Sequence, residues 1–274
     1  MRVLTWNLYH GRDFPPEGEL LTPRSQWLRV TEIGGRYAQV NRPLRQEFAA
    51  AIARMEWEVA LLQEVPPRWQ RDLGIATGAS AAMALTSRNF LAPVRAALAE
   101  QNTDLIASDE GGSNQVLARP PWRIAGTRRL TLARRPERRR MLWVRLEAPG
   151  RSPVCVANMH LSTGDPRRAS REVLAAAARA VEWAGDVALV FGGDLNLRPG
   201  RTPEPFERLR AVHGFEPPPD PEPIDHLFAR GLAVAEAPRA LPSSWRELPG
   251  PEGRLLRLSD HDPVAARFSP REAR

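Results

Sequence analysis

Short apolar runs punctuate this chain, and several end on a group that can hold a cation, a phosphate or a proton. Val59-Ala60-Leu61-Leu62 runs into Gln63-Glu64, and Val187-Ala188-Leu189-Val190-Phe191 runs into Gly192-Gly193-Asp194. Runs of four or five apolar residues suit buried strands rather than helices. Strand ends hold side chains rigidly while leaving them open to a ligand. A chain whose polar chemistry keeps returning at such ends is therefore read as a scaffold that presents a site there.

The segments between these runs supply the helices. Leu44, Phe48, Ile52 and Met55 fall at i, i+4, i+8 and i+11, which predicts an amphipathic helix over 43–55, with Asn41 as its cap and Pro43 in its first turn. Asp165-Pro166 opens a second long helix to Trp183, and Gly185 stops it. Shorter helices are expected at 67–73, 90–101 and 205–212. Strands are expected at 2–9, 59–62, 82–86, 115–118, 154–161, 187–191, 224–228, 232–235 and 264–268. The segments 122–132 and 139–147 read as a half-buried hairpin around Arg135-Pro136-Glu137. Residues 12–42 show no sustained period and read as a long loop with a short helix near Gln26–Arg29. No repeat or linker divides the chain, so residues 1–274 are expected to form one α/β domain built on two packed sheets.

Composition narrows the class. Hydrophobic residues make up 42% of the chain, too many for a disordered polymer. The single cysteine, Cys155, excludes an internal disulfide framework. No apolar run approaches the ~20 residues of a membrane span, and the N-terminus has no signal-peptide pattern, so a cytoplasmic monomer is the expectation. Lysine is absent, and all 39 basic residues are arginine against 32 acidic ones, a net +7. Arginine's planar fork suits phosphate. A GC-rich coding sequence would produce the same bias, so charge permits a polyanionic partner without establishing one.

The polar strand-end residues are chemically consistent with one another. Glu64, Asp194, Asp225 and Asp260 are hard oxygen ligands, and Asn7, Asn158 and Asn196 add amide oxygens. Such a set suits Mg²⁺, with Mn²⁺ or Ca²⁺ as alternatives, rather than zinc. Without a cation, four clustered carboxylates would repel one another and a phosphate substrate. His160 and His261 could handle proton transfer. Asn158/His160 and Asp194/Asn196 have i, i+2 spacing, which puts both members of each pair on one face of an extended chain. Each residue alone has an ordinary structural reading as a turn former, an exposed strand-end charge or a core histidine. Their ordered recurrence is what carries information.

Five segments then become recognisable: Thr5-Trp6-Asn7, Leu62-Gln63-Glu64, Asn158-Met159-His160-Leu161, Gly193-Asp194-Leu195-Asn196 and Ser259-Asp260-His261. Ile224-Asp225-His226-Leu227 resembles a sixth block, and Ser113-Asn114-Gln115-Val116-Leu117-Ala118-Arg119 more loosely a seventh. Together they resemble the signature of the endonuclease/exonuclease/phosphatase superfamily, the deoxyribonuclease I-like metal-dependent phosphoesterases. The resemblance implies a four-layer α/β sandwich of two mostly antiparallel sheets with helices outside. It implies Glu64 as the principal metal ligand, supported by Asn7 and Asp260. Asp194 would hold or activate the attacking water or bind a second metal. Asn196, with Asn114 and Asn158, would contact the phosphate. His261 would contact the phosphate or act as base, held by Asp225, and His160 would assist at the phosphate or leaving group.

The family cleaves several kinds of phosphate ester, so fold alone does not choose among them. Glu64-Val65-Pro66 departs from the Glu-Thr-Lys of abasic-site endonucleases, and Ile224-Asp225-His226 lacks the arginine of inositol polyphosphate 5-phosphatases. Arg24–Arg36 and Arg134–Arg145 could track a nucleic-acid backbone, with Trp27 or Trp143 stacking; a solvated face with core tryptophans is the alternative. The leading expectation is a Mg²⁺-dependent phosphodiesterase acting on nucleic acid. The alternatives are an enzyme for a small or lipid phosphate ester and, from another class, a catalytically silent binding module.

Overall fold

A computed structural model describes residues 1–87, 91–106 and 111–271. Its elements in chain order are β1 (Arg2–Asn7), α1 (Pro23–Trp27), β2 (Thr31–Ile33), β3 (Ala38–Val40), α2 (Arg45–Arg54), β4 (Val59–Val65), α3 (Gln70–Thr77), β5 (Ser80–Thr86), α4 (Ala92–Gln101), α5 (Thr103–Ile106) and β6 (Gly112–Ala118). They continue with β7 (Arg123–Ala133), β8 (Arg139–Ala148), β9 (Arg151–His160), α6 (Pro166–Ala184), β10 (Ala188–Asp194), α7 (Glu204–His213), β11 (Asp225–Arg230), β12 (Leu232–Ala240), β13 (Glu247–Pro249), β14 (Leu255–Arg257) and β15 (Val264–Pro270).

Two sheets carry the architecture. One has six strands in the order β12-β15-β1-β4-β6-β5, and the other has five in the order β11-β10-β9-β8-β7. Pairing is antiparallel except β1 with β4 and β9 with β10. Parallel neighbours need a crossover, and α2 and α6 lie on those two connections. The two sheets bury a shared layer of Val3, Leu61, Val116, Leu142, Val144, Val156 and Val190. Outside the first sheet, Phe48 and Ile52 of α2 and Leu73 of α3 pack on Leu4, Trp6 and Leu62. Outside the second, Val173, Ala176 and Ala180 of α6 and Phe206 and Leu209 of α7 pack on Met141 and Phe191. The result is the helix–sheet–sheet–helix sandwich expected. Alternate β1 residues serve different layers, Val3 facing the other sheet and Leu4 the helices, which is the period-two logic of a strand buried on both faces.

Local signals held where the chain could satisfy them locally. The Asp165 carboxylate caps α6 by accepting the Arg168 N–H at 3.0 Å, and the Gly185 N–H bonds the Val181 carbonyl. Asn41 does something else. Leu44 is the residue before α2, and the Asn41 amide donates to the Ser25 carbonyl and to Asn102 Oδ1, tying the N-terminal segment to α4–α5. Residues 12–42 hold more structure than a loop: α1 and the β2–β3 ribbon lie within them. β13 and β14, also unforeseen, form a second ribbon. The expected start of the 90–101 helix, Phe90, lies outside the described residues, and its helix is observed from Ala92. Trp143 is 5% exposed and lies edge-on to Trp183 of α6, so it is a core residue and not a stacking platform. Trp27 is 69% exposed.

Candidate active site

The parallel pairs set the position of the site. β1 and β4 leave the first sheet side by side, and β9 and β10 leave the second in the same way. The antiparallel partner β11 begins where β10 ends, with Asp194 opposite Asp225, while Asp260-His261 precede β15. All these ends meet at one edge of the sandwich. The Asn7 amide crosses between sheets to donate to Asp194 Oδ2 at 3.0 Å, and its Oδ1 accepts the Tyr9 N–H at 2.9 Å. Ser259 closes the ring: its hydroxyl donates to the Asn7 carbonyl at 2.6 Å and accepts the His261 N–H at 3.1 Å. The Trp6 indole N–H holds the His261 carbonyl at 2.9 Å.

Two adjacent glycines allow the strands to approach this closely. A Cβ on Gly192 would lie 2.1 Å from the His226 carbonyl oxygen, and one on Gly193 (φ +127°) 2.0 Å from that of Met159. Only glycine fits there, immediately before Asp194. Five non-glycine residues around the site also take left-handed backbone: Tyr9, His10, Glu64, Asn196 and Ser259, at φ 47–63°. At Glu64 this coincides with a register shift between β4 and β6. Such a bulge redirects a side chain that regular pleating would point elsewhere.

The core of the site is a chain of charges. His261 Nδ1 lies 2.6 Å from Asp225 Oδ2, and its Nε2 is 3.9 Å from both Asp194 Oδ2 and Asp260 Oδ1. Burial lowers the His261 pKa, but Asp225, Asp194 and Asp260 outweigh it and raise it to about 10. The ring is then an imidazolium at neutral pH, donating Nδ1–H to Asp225 and presenting Nε2–H to the opening. Asp194 is 1% exposed, and burial followed by repulsion from Asp225 pushes its carboxyl up. Its Oδ1 accepts the Asn196 N–H at 3.0 Å, and the Asn196 amide donates to the Leu161 carbonyl at 3.1 Å.

His160 lies between the sheets with Nε2 3.4 Å from Asp194 Oδ2 and Nδ1 3.6 Å from Glu64 Oε1. Sequence reading had no carboxylate partner for it; the fold supplies two. Arg139, 6% exposed, places Nη1 3.0 Å from His160 Nδ1. A guanidinium only donates, so Nδ1 accepts and the neutral ring carries its proton on Nε2, toward Asp194. Burial and Arg139 push the His160 pKa down to about 3, which keeps the ring neutral. Burial raises Glu64, but His10, His160 and Arg139 overcome it and hold the carboxylate well below its usual range. His10 Nε2 is 3.4 Å from Glu64 Oε2. Burial raises Asp260, and the Glu64 charge adds to that.

His10 and Arg139 were therefore missed as site residues. His10 follows Asn7 by three positions, and Arg139 sits in the Arg138–Arg140 run. Neither spacing distinguishes a residue turned into the site from one facing solvent.

Two predicted phosphate contacts are buried and hydrogen-bonded to backbone carbonyls. Asn158 is fully buried, and its amide donates to the Leu62 and Gln115 carbonyls at 2.9 and 2.8 Å while Oδ1 accepts from Gln63. It joins the two sheets, because buried backbone carbonyls claim its donors before a ligand could. Asn114 is also fully buried and donates to the Arg140 carbonyl at 2.7 Å; its buried Oδ1 has no hydrogen-bond partner among the described residues.

Asp194, Asp225 and His261 offer ligand atoms within 4.8 Å of one another. His261 Nδ1 is committed to Asp225 at 2.6 Å and the protonated ring has no free lone pair on Nε2, so this trio acts better as a hydrogen-bonded relay than as a complete cation cage. Glu64, Asp260 and Asp194 provide hard oxygens beside it, and the mutual repulsion of Glu64 and Asp260 is what a divalent cation relieves.

Comparison with known proteins follows the same lines. A model of the endonuclease/exonuclease/phosphatase family matches residues 4–261. No curated protein matches the sequence. Among solved structures, a Bacteroides vulgatus endonuclease/exonuclease/phosphatase aligns with TM-score 0.63 at 15% identity, covering 98% of both chains. A Bacteroides thetaiotaomicron mannosyl-6-phosphatase gives 0.64 at 14%, covering 98% of this chain and 99% of that one. The human Nocturnin catalytic domain gives 0.62 at 16%, covering 98% and 94%. At such identities the likeness is one of fold.

Proposed function

Because this chain belongs to the endonuclease/exonuclease/phosphatase family, we propose that it is a divalent-metal-dependent phosphoesterase that hydrolyses phosphodiester bonds in nucleic acid. The supporting observation is the Asp225–His261 pair at 2.6 Å, facing Asp194, with Glu64 and Asp260 at the same edge.

Each residue has a task that its surroundings permit. The His261 imidazolium, fixed by Asp225, donates Nε2–H to a non-bridging phosphate oxygen and stabilises charge that builds there. Asp194, held by Asn7 and the Asn196 N–H, has a carboxylate made more basic by burial, and it accepts a proton from the attacking water. Asn196 keeps a second amide proton for the phosphate. His160 directs its Nε2–H toward Asp194 and fixes that carboxylate's orientation. Glu64 and Asp260, with Asn7 beside them, would hold Mg²⁺ or Mn²⁺, which when bound polarises a phosphoryl oxygen and lowers the pKa of water.

A second reading has its own observation. A cavity of about 710 Å³ adjoins Asp260 and His261, walled by Pro217–Pro219, Pro223 and Val264. A part-apolar cavity of that size suits the organic half of a small phosphate ester. One panel separates the readings: purified protein with Mg²⁺ on plasmid DNA, single-stranded DNA, abasic duplex, RNA, sugar phosphates, phosphoinositide and sphingomyelin. Cleavage of a nucleic acid is expected. Turnover confined to sugar or lipid phosphates rejects the nuclease reading and leaves the phosphoesterase one.

A further inference from the structure

The two flanks of the site differ in charge. On the β11–β12 side, the cavity beside His261 is lined by Asp220, Glu222 and Asp262 as well as the site's own Asp225 and Asp260, against Arg198 and Arg239. On the other side, the loops leaving β9 and β10 run directly from His160 and Asn196 to the starts of α6 and α7. Between them lies an open cleft of about 770 Å³ that holds Arg167, Arg171, Arg201 and Arg208 against only Asp165 and Glu204.

Arg208 is paired with Glu204 at 3.2 Å, but among the described residues Arg167, Arg171 and Arg201 have no acidic partner. The α6 N-terminus takes its negative charge from the Asp165 cap, and its first turn then runs Pro166-Arg167-Arg168 with no acidic residue of its own. The first turn of α7 follows the usual rule with Glu204 and Glu207. Three arginines remote from the cleft are paired with carboxylates: Arg123 with Glu147, Arg179 with Glu182 and Arg267 with Glu236. An arginine-rich composition explains how many arginines there are. It does not explain why Arg167, Arg171 and Arg201 line one flank of the site while the charged residues lining the cavity on the other flank are mostly carboxylates.

Gly164 lies four positions after His160, and Arg201 five positions after Asn196. The near edge of the cleft, at Gly164 and Arg201, is therefore within about 14–18 Å of the reacting groups even if those loops were fully extended. From this asymmetry we infer that the Arg167–Arg171–Arg201 cleft is a phosphate-tracking subsite, which takes the backbone of a nucleic-acid strand as it leaves the catalytic edge across the α6–α7 side. Backbone charge neutralised there releases counterions and gives salt-dependent affinity without sequence preference. The inference rests on the nuclease reading above and gives it a direction.

The test compares two variants of equal net charge on two substrates in Mg²⁺. One is Arg167→Ala/Arg171→Ala/Arg201→Ala; the control is Arg123→Ala/Arg179→Ala/Arg267→Ala, remote from the cleft. The substrates are bis-p-nitrophenyl phosphate and a fluorescein-labelled 12-nucleotide single-stranded DNA. The cleft variant is expected to raise KM for the oligonucleotide at least tenfold. Its log KM should also respond less steeply to log salt, by about two units for three lost contacts. Both variants should keep bis-p-nitrophenyl phosphate turnover within twofold. Equal KM changes in the two variants, or none in the cleft variant, would overturn the subsite while leaving the nuclease reading intact. Wild-type protein that hydrolyses bis-p-nitrophenyl phosphate but neither binds nor cleaves the oligonucleotide overturns both.

Discussion

Asp13 is a buried carboxyl outside the catalytic group whose protonation should be visible in the stability of the whole chain. It is 3% exposed; Oδ2 accepts the Val40 N–H at 2.8 Å, and Oδ1 is buried with no hydrogen-bond partner among the described residues. Burial pushes its pKa from 3.8 up to about 8, with Asp104 adding to the rise. The folded chain thus keeps a proton that the unfolded chain gives up near pH 4. This group's contribution is fully present below that pH and is lost as pH rises toward 8, at about 1.4 kcal/mol per pH unit. Between pH 5 and 8 the loss amounts to about 3–4 kcal/mol. Asp13→Asn removes the titration and keeps an acceptor for Val40, and the cost of burying its amide, about 1–3 kcal/mol where it is left unpaired, does not change with pH. Urea unfolding followed by tryptophan fluorescence at pH 5, 6, 7 and 8 measures both proteins. The variant's stability relative to wild type is expected to climb with pH across that range. Parallel stability curves would refute the reasoning, because they would mean that Asp13 ionises in the folded chain as easily as in the unfolded one.

The remaining predictions concern the site. Glu64→Gln should lower kcat on bis-p-nitrophenyl phosphate by at least ~10²-fold with an intact circular-dichroism spectrum, and EDTA should do the same to wild type with recovery on added Mg²⁺. EDTA-resistant turnover would remove the metal from the mechanism. Asp225→Asn leaves the shape of the pair but not its charge, and kcat should fall by ~10²–10⁴ with little change in KM; a pure KM effect would make Asp225 a substrate contact instead. Gly193→Ala puts a Cβ against the Met159 carbonyl at φ +127°. It should lower the unfolding free energy by more than about 3 kcal/mol or prevent folding, and a urea midpoint near wild type would show that β9 and β10 can separate there at little cost.

The parts of this molecule legible in its sequence share one physical property: they are decided by neighbours along the chain. The α6 cap at Asp165, the stop at Gly185 and the apolar β4 and β10 runs depend on local rules, and all were found. The strand-end groups Asn7, Glu64, Asp194, Asp225 and His261 could be listed for the same reason, since a strand end is visible as the point where an apolar run stops or starts. What was missed depends on contacts between distant segments. β2 and β3 are three residues each, too short for any period to show. His10 faces Glu64 only because the backbone turns left-handed there, and Arg139 is buried only because β8 and β9 bring it against His160. Asn158 shows the opposite error. Its motif position suggested a ligand contact, but the Leu62 and Gln115 carbonyls across the sandwich take its donors.

The left-handed residues around the edge have a consequence for how such a sequence can vary. A side chain at φ near +50° costs of order 1 kcal/mol or more that glycine would avoid. Selection for robustness alone would drift toward glycine at positions 64, 196 and 259, and each step would remove a carboxylate, an amide or a hydroxyl that binds its neighbours. Thermal tolerance and turnover are therefore opposed at these positions. In relatives that have lost turnover while keeping the sandwich, these positions are where glycine should first accumulate.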